Sequence, residues 1–284
     1  MRYWALCFLV IFLSVLFVPL IAEKSVAGEN LPEIEVNLDG NIEKITIEEY
    51  VLRVLIAENS FCENAETKKA LAVSARSCAS YFSLYGCKHE NFAACDDGDC
   101  CIELGSPEDV DENTLSELIS VCEATNGEIL TLDSMPAIAL FSKCASKGTR
   151  FCENFPYLTP VGEDAPCEIH KTEVELQIDD GLASLLGDTN EHPPYLVYDE
   201  NEKCVLAILG GNIIEGEELA SRLTLPTTEF SLTIEETKLK TVCYGIGHGY
   251  GLNLCYADKY AKDGSDYQTI LKRYFPELEI KKIL

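Results

Sequence analysis

The chain has 284 residues, 47% of them hydrophobic, with 48 acidic against 22 basic side chains and a formal net charge of −26. That apolar fraction supports a buried core, in one large domain or two modest ones, and excludes a disordered tail. The acidic excess repels polyanions and leaves no basic stripe for phosphates, so no nucleic acid is expected as a partner.

The uncharged run 4–22 is interrupted only by Ser14 and Pro19. At about 1.5 Å per helical residue it spans roughly 28 Å, the thickness of a bilayer core. Arg2 precedes it and an acidic body follows, which predicts a single-pass cell-membrane protein with a cytoplasmic amino terminus and an extracytoplasmic body. Ser25-Val26-Ala27 offers a signal-peptidase site, but the run exceeds the ~7–15 residues of a cleaved apolar region, which favours an uncleaved signal anchor. Residues 1–28 then form the cytoplasmic end and anchor, 29–44 a linker or short strand, and 45–284 the main domain.

Within that domain Thr46-Ile47-Glu48-Glu49 has capping-box spacing, and Tyr50, Val51, Val54 and Leu55 recur at helical intervals, which predicts a helix over 47–57. A second helix is expected over 65–85, stopped by Gly86, and a third over 113–123, ending near Gly127. Strands are expected at 128–132, 137–141, 204–209, 229–234 and 238–243. Residues 152–194 show weak periodicity and read as a loop-rich insertion. The pattern Ser265-Asp266-Tyr267-Gln268 opens a last helix. The fold class is α+β, with helices and short strands around a groove.

Glu58 falls at the carboxyl end of the first helix, beside unpaired carbonyls and after an apolar face. Both surroundings favour the protonated carboxylic acid, the form that can protonate a glycosidic oxygen and afterwards act as base. An ordinary surface glutamate is the alternative on residue type alone. The glycines at 245, 247, 249 and 251 fail the dinucleotide-binding spacing, so no nicotinamide cofactor is implied. Around His248 they allow close backbone approach, either to a ligand or within a tight structural turn.

The order of these segments resembles the stage II sporulation protein D family of peptidoglycan lytic transglycosylases. The resemblance rests on Glu49-Tyr50-Val51 and the run to Glu58, on Lys69-Ala70-Leu71-Ala72-Val73-Ser74-Ala75-Arg76-Ser77, and on Ala124-Thr125-Asn126-Gly127-Glu128-Ile129-Leu130-Thr131. It continues with Gly245-Ile246-Gly247-His248-Gly249-Tyr250-Gly251-Leu252 and the helix 267–274. It implies that Glu58 is the catalytic acid on the bond between N-acetylmuramic acid and N-acetylglucosamine, then the base on the muramic C6 hydroxyl, giving a 1,6-anhydro product. Because the nucleophile belongs to the substrate, a second catalytic carboxylate is not required. It further implies that Arg76, Ser142, Gly247, His248, Gly249 and Asn253 line a glycan groove. Strands stripped of stem peptides by a sporulation amidase, in a membrane-protein complex at engulfment, are the implied substrate and setting.

Fourteen cysteines, one of them (Cys7) in the apolar run, leave thirteen outside it, which cannot all pair within one chain. Four crowd around His89, and His89, Cys95, Cys100 and Cys101 would satisfy a tetrahedral structural zinc; disulfides are the alternative in an exported protein. Some members of the resembled family carry a comparable His, Cys, His, Cys loop, with Cys100 here at the second histidine. The chain departs from the family at Phe141-Ser142-Lys143, where a Phe-His-Ser segment is usual, and at Leu252-Asn253-Leu254-Cys255, where Met-Ser-Gln is usual. These losses admit a second reading, a catalytically weakened module that holds glycan or scaffolds a complex.

Overall fold

Two strands joined at Asp39-Gly40, a dipeptide that tight hairpins favour, open the described chain: β1 (Glu33–Leu38) and β2 (Asn41–Thr46). The computed structural model describes residues 33–89, 92–96, 102–164, 170–189 and 191–283. The expected anchor over 4–22 lies outside them; among the described residues no helix is long and apolar enough to cross a membrane. One compact unit runs from Ile34 to Leu284, so part of the expected linker contributes a strand whose Val36 is fully buried.

Helix α1 (Ile47–Ala57) starts where the Thr46 hydroxyl accepts the Glu49 N–H at 3.1 Å. Only half of a capping box forms, because the Glu49 carboxylate turns outward to Arg53 at 3.0 Å. Helix α2 (Ala65–Tyr85) is capped by the Asn64 side chain and ended by Gly86 at φ +75°. It is the central element: its small residues Ala70, Ala72, Ala75 and Ala79 let neighbours approach on several sides. Around it pack α1, α3 (Glu112–Ala124) and strand β4 (Glu128–Leu132). Strand β3 (Ala94–Cys95), in the cysteine-rich loop, pairs in parallel with β1.

After β5 (Met135–Pro136) the expected strand over 137–141 shortens to β6 (Phe141–Ser142), followed by β7 (Cys144–Ala145). Residues 137–140 are apolar and mostly buried, but the Ile138 N–H donates to the Tyr157 hydroxyl at 2.9 Å, so this backbone is satisfied without a ladder.

The insertion over 152–194 is more ordered than its sequence pattern predicts. It contains β8 (Lys171–Gln177) and α4 (Asp180–Leu186), the latter capped by Asp179. Strands β9 (Tyr195–Tyr198), β10 (Cys204–Leu209) and β11 (Asn212–Glu215) form an antiparallel sheet, and α5 (Gly216–Arg222) follows. Strands β12 (Phe230–Glu235) and β13 (Lys238–Ile246) make a hairpin, and β13 pairs with β8 along all seven residues of β8. Leu186, Ala207, Leu209, Leu219, Phe230 and Leu239 form a second core under these sheets. Charged residues alternate along β8, which hides its apolar face (Val174, Leu176) from any search for hydrophobic runs.

Strand β14 (Leu252–Asn253) runs parallel to β6, and α6 (Leu254–Lys262), α7 (Tyr267–Tyr274) and β15 (Glu279–Lys282) complete the fold. Helix α6 was not expected from the sequence, since it starts directly after the glycine-rich turn with no capping side chain: its N-cap Asn253 is engaged elsewhere. Among the described residues seven helices and several small sheets agree with the α+β class read from the sequence.

Arg76 is fully buried in α2 and does not line the groove expected for it. Its guanidinium binds the Glu48 carboxylate through two bonds of 2.7 and 2.8 Å and donates to the Glu128 carbonyl at 3.1 Å. It ties α1 and β4 to α2, a structural task. Removing one member of such a pair leaves the other charge uncompensated, so Arg76→Ala should lower unfolding free energy in urea by about 3–5 kcal/mol. Unchanged stability with lost glycan binding would instead return Arg76 to the groove.

Candidate active-site groove

Glu58 is the C-cap of α1, its N–H bonded back to Val54 at 3.0 Å and its residue surface only 3% exposed. The helix end delivers the carboxyl to the wall of a cavity of about 1050 Å³. Burial raises its pKa from an ordinary 4.5 to about 7, against the opposing pull of the Lys143 ammonium, whose Nζ lies 3.7 Å from Oε1. The second oxygen, Oε2, is buried with no hydrogen-bond partner among the described residues. A carboxyl so placed is an acid near neutral pH, with one oxygen uncommitted.

Lys143 was not foreseen from the sequence. It follows β6, bridges to Glu103 at 3.1 Å, and lies over the Phe61 ring at 5.1 Å. Its only sequence signal is its position directly after Ser142, in a segment already assigned to the groove. Glu103 also lines the cavity and raises the Glu58 pKa as a second negative charge.

The opposite wall is the glycine-rich turn. Gly247 has φ +99°, and a Cβ there would stand 2.6 Å from the Ser142 Oγ; Gly251 has φ +70°, and a Cβ there would stand 2.0 Å from the Leu140 carbonyl oxygen. Only glycine permits both the backbone angle and the approach. The Ser142 hydroxyl donates to Ile246 O at 3.2 Å and accepts the Gly249 N–H at 3.1 Å, clasping the turn to β6. His248 lines the cavity. It keeps exposed surface, yet the protein packed around its ring lowers its imidazole pKa, and the Tyr250 N–H donates to Nδ1 at 3.0 Å, which makes that nitrogen an acceptor.

Of the expected groove residues, Ser142, Gly247 and His248 line the cavity with Glu58. Gly249 lies behind, its N–H on Ser142. Asn253 is fully buried and clamps β7, accepting the Ala145 N–H at 3.1 Å and donating to the Ala145 carbonyl at 2.8 Å. Phe82, Phe141 and Phe155 add aromatic surface, and Cys87, Lys88 and Asp96 bring the cysteine-rich loop to the rim.

In that loop His89 Nε2 and Cys95 Sγ lie 3.7 Å apart. Two ligands of one tetrahedral zinc would be about 3.6 Å apart for bonds of about 2.1 and 2.3 Å, so this half of the expected donor set fits the ion. Cys100 and Cys101 lie outside the described residues. Elsewhere, Cys144, His170 and Cys255 bring a sulfur, a ring nitrogen and a sulfur within 4.8 Å of one another.

Comparison with known proteins finds a match to the model of the stage II sporulation protein family SpoIID over residues 39–132. Stage II sporulation protein D of Bacillus subtilis (strain 168) is 24% identical over 268 residues, covering 85% of this chain and 76% of that protein. The Bacillus amyloliquefaciens protein of the same name is 22% identical over 283 residues, with the same coverage. Over residues 39–132 the chain is similar to the SpoIID family. The family-model match holds the wall of the groove that carries Glu58, from the β1–β2 turn through α1, α2 and the cysteine-rich loop to β4. The other wall, with Ser142, Lys143 and His248, lies beyond that match. The carboxyl is therefore provided by the matched segment and its ammonium partner by a residue outside it.

Between 4.5 and about 7 the folded chain holds a proton on Glu58 that the unfolded chain has released, so this group costs stability as pH rises through that window. Glu58→Gln removes the cost. The variant should be more stable than wild type at pH 8 by up to about 3 kcal/mol in urea unfolding, with the gap closing below about pH 4.5. An equal gap at both pH values would contradict a buried, raised carboxyl.

Proposed function

We propose that the chain is a membrane-anchored lytic transglycosylase that cleaves peptidoglycan glycan strands between N-acetylmuramic acid and N-acetylglucosamine during sporulation. The observation that carries this reading is the Glu58 carboxyl: buried, its pKa raised to about 7, and holding one oxygen with no partner among the described residues on the wall of an open groove. In the first half-reaction Glu58 gives its proton to the glycosidic oxygen as that bond breaks. The resulting carboxylate is stabilised by the Lys143 ammonium, and takes the proton of the muramic C6 hydroxyl as that oxygen closes on C1. No water is consumed.

The groove's aromatic faces offer packing for sugar C–H surfaces, and the neutral His248 and nearby backbone polar groups offer hydrogen bonds. Such a groove suits a neutral-to-weakly-charged polysaccharide, which an acidic protein need not repel. Peptide-stripped strands, left by a partner amidase in a membrane complex, are the substrate proposed on family resemblance, with the domain outside the membrane. A structural zinc held by His89, Cys95, Cys100 and Cys101 would brace the cysteine-rich loop at the groove rim.

One observation favours a second chemistry. Glu103 stands in the same groove, bonded to the ammonium that Glu58 faces, so a carboxylate pair is present and hydrolysis through an activated water is its reading. Mass spectrometry of products from peptide-stripped strands separates the outcomes. Wild type should release 1,6-anhydro fragments, and Glu58→Gln should lose at least about 10²-fold in rate. Reducing ends from wild type, lost in Glu103→Gln, would establish the hydrolase. Intact strands that bind without turnover would establish a non-catalytic glycan-holding module.

A further inference from the structure

Three residues that the proposed reaction does not use converge near Phe61 and Lys143: Cys144 in β7, His170 just before β8, and Cys255 in the first turn of α6. They are separated by 26 and 85 positions in the sequence, yet one donor atom of each lies within 4.8 Å of the other two. Among the described residues neither sulfur is joined in a disulfide.

Backbone pairing fixes where the three stand. Cys144 stands opposite Ile246 in the β7–β13 ladder, and the neighbouring Gly245 N–H donates to the His170 carbonyl at 3.0 Å. The Cys255 N–H donates to the Lys143 carbonyl at 3.2 Å, one residue before Cys144. A site fixed by its scaffold loses little entropy when a ligand arrives. Tetrahedral zinc with bonds of about 2.1 Å to nitrogen and 2.3 Å to sulfur would place its ligands about 3.6–3.8 Å apart, a closure of about 1 Å from the present limit, within side-chain rotation.

We propose that Cys144, His170 and Cys255 bind a structural zinc ion, separate from any ion in the cysteine-rich loop. Two thiolates and an imidazole are a soft donor set that selects zinc over magnesium or calcium. Binding releases the two thiol protons to solvent, and the fourth position is taken by water or a further side chain. Cys144 is buried while His170 and Cys255 are half-buried, so the ion has an approach from one side.

Its consequence reaches the groove. The His170 ring lies 5.7 Å from that of Phe61, three residues after Glu58, and Lys143, whose ammonium covers the same Phe61 ring, is the immediate neighbour of Cys144. The ion would pin β7, the start of β8 and α6 to one another and thereby hold Lys143 against Glu58. The site stands on its own donors and does not depend on what reaction Glu58 performs.

The test is metal content of the full-length chain, reduced, stripped with chelator, reloaded with zinc and freed of excess ion. Cys255→Ser and His170→Ala should each contain one zinc per chain fewer than wild type, and His170→Cys, which keeps a donor, should retain it. With cobalt in place of zinc, the thiolate charge-transfer absorption should fall in Cys255→Ser and persist in His170→Cys. His170 is half-buried, so its variants keep the experiment decisive if the cysteine variant fails to fold. Equal zinc content in wild type, Cys255→Ser and His170→Ala would overturn the proposal. So would peptide mapping that finds Cys144 and Cys255 joined to each other in protein purified without reductant.

Discussion

The groove depends on one close approach: the glycine-rich turn lying directly on the backbone of β6. Side-chain atoms at 247 or 251 would stand 2.6 Å from Ser142 Oγ and 2.0 Å from Leu140 O, well inside van der Waals contact. With hydrogen there instead, Ser142 Oγ reaches both Ile246 O and Gly249 N, and β14 pairs with β6. That contact sets where β7 begins, and so where Lys143 projects. An ammonium 3.7 Å from a buried carboxyl is thus a consequence of four glycines about one hundred residues further along the chain.

The balance at Glu58 is between two opposed effects of comparable reach. Burial favours the neutral acid, while Lys143 favours the carboxylate. Burial wins in the resting chain, which leaves the proton available. Once the proton is given up, the same lysine offsets the charge that burial penalises, so a single carboxyl has an environment suited to both of its forms. Glu103 draws part of that positive charge toward itself and leans the resting balance further toward the acid.

Two buried polar arrangements support the groove without entering it. Arg76 with Glu48 joins the helix that ends in Glu58 to the central helix, and Asn253 bonds both backbone groups of Ala145 beside the Lys143 strand. Each looked like a groove residue in the sequence, because position in a motif cannot distinguish a side chain facing a ligand from one facing the neighbouring backbone. Polar residues that fix backbone are as strictly specified as those that touch substrate.

What the sequence by itself determined is local: α1 with its Thr46 cap, α2 with its Gly86 stop, β10, the end of α1 as the place for a protonated carboxyl, and the glycines as a site of close approach. These follow from periodicity, capping and backbone freedom, which act over a few residues. Tertiary structure decided the rest. β8 and α6 carry little hydrophobic signal, and take form because β13 and the Asn253 clamp provide their partners. Lys143 and the Cys144, His170 and Cys255 cluster were invisible for the same reason, since their chemistry arises from distances between residues far apart in the chain, and those distances exist only once the sheets have paired.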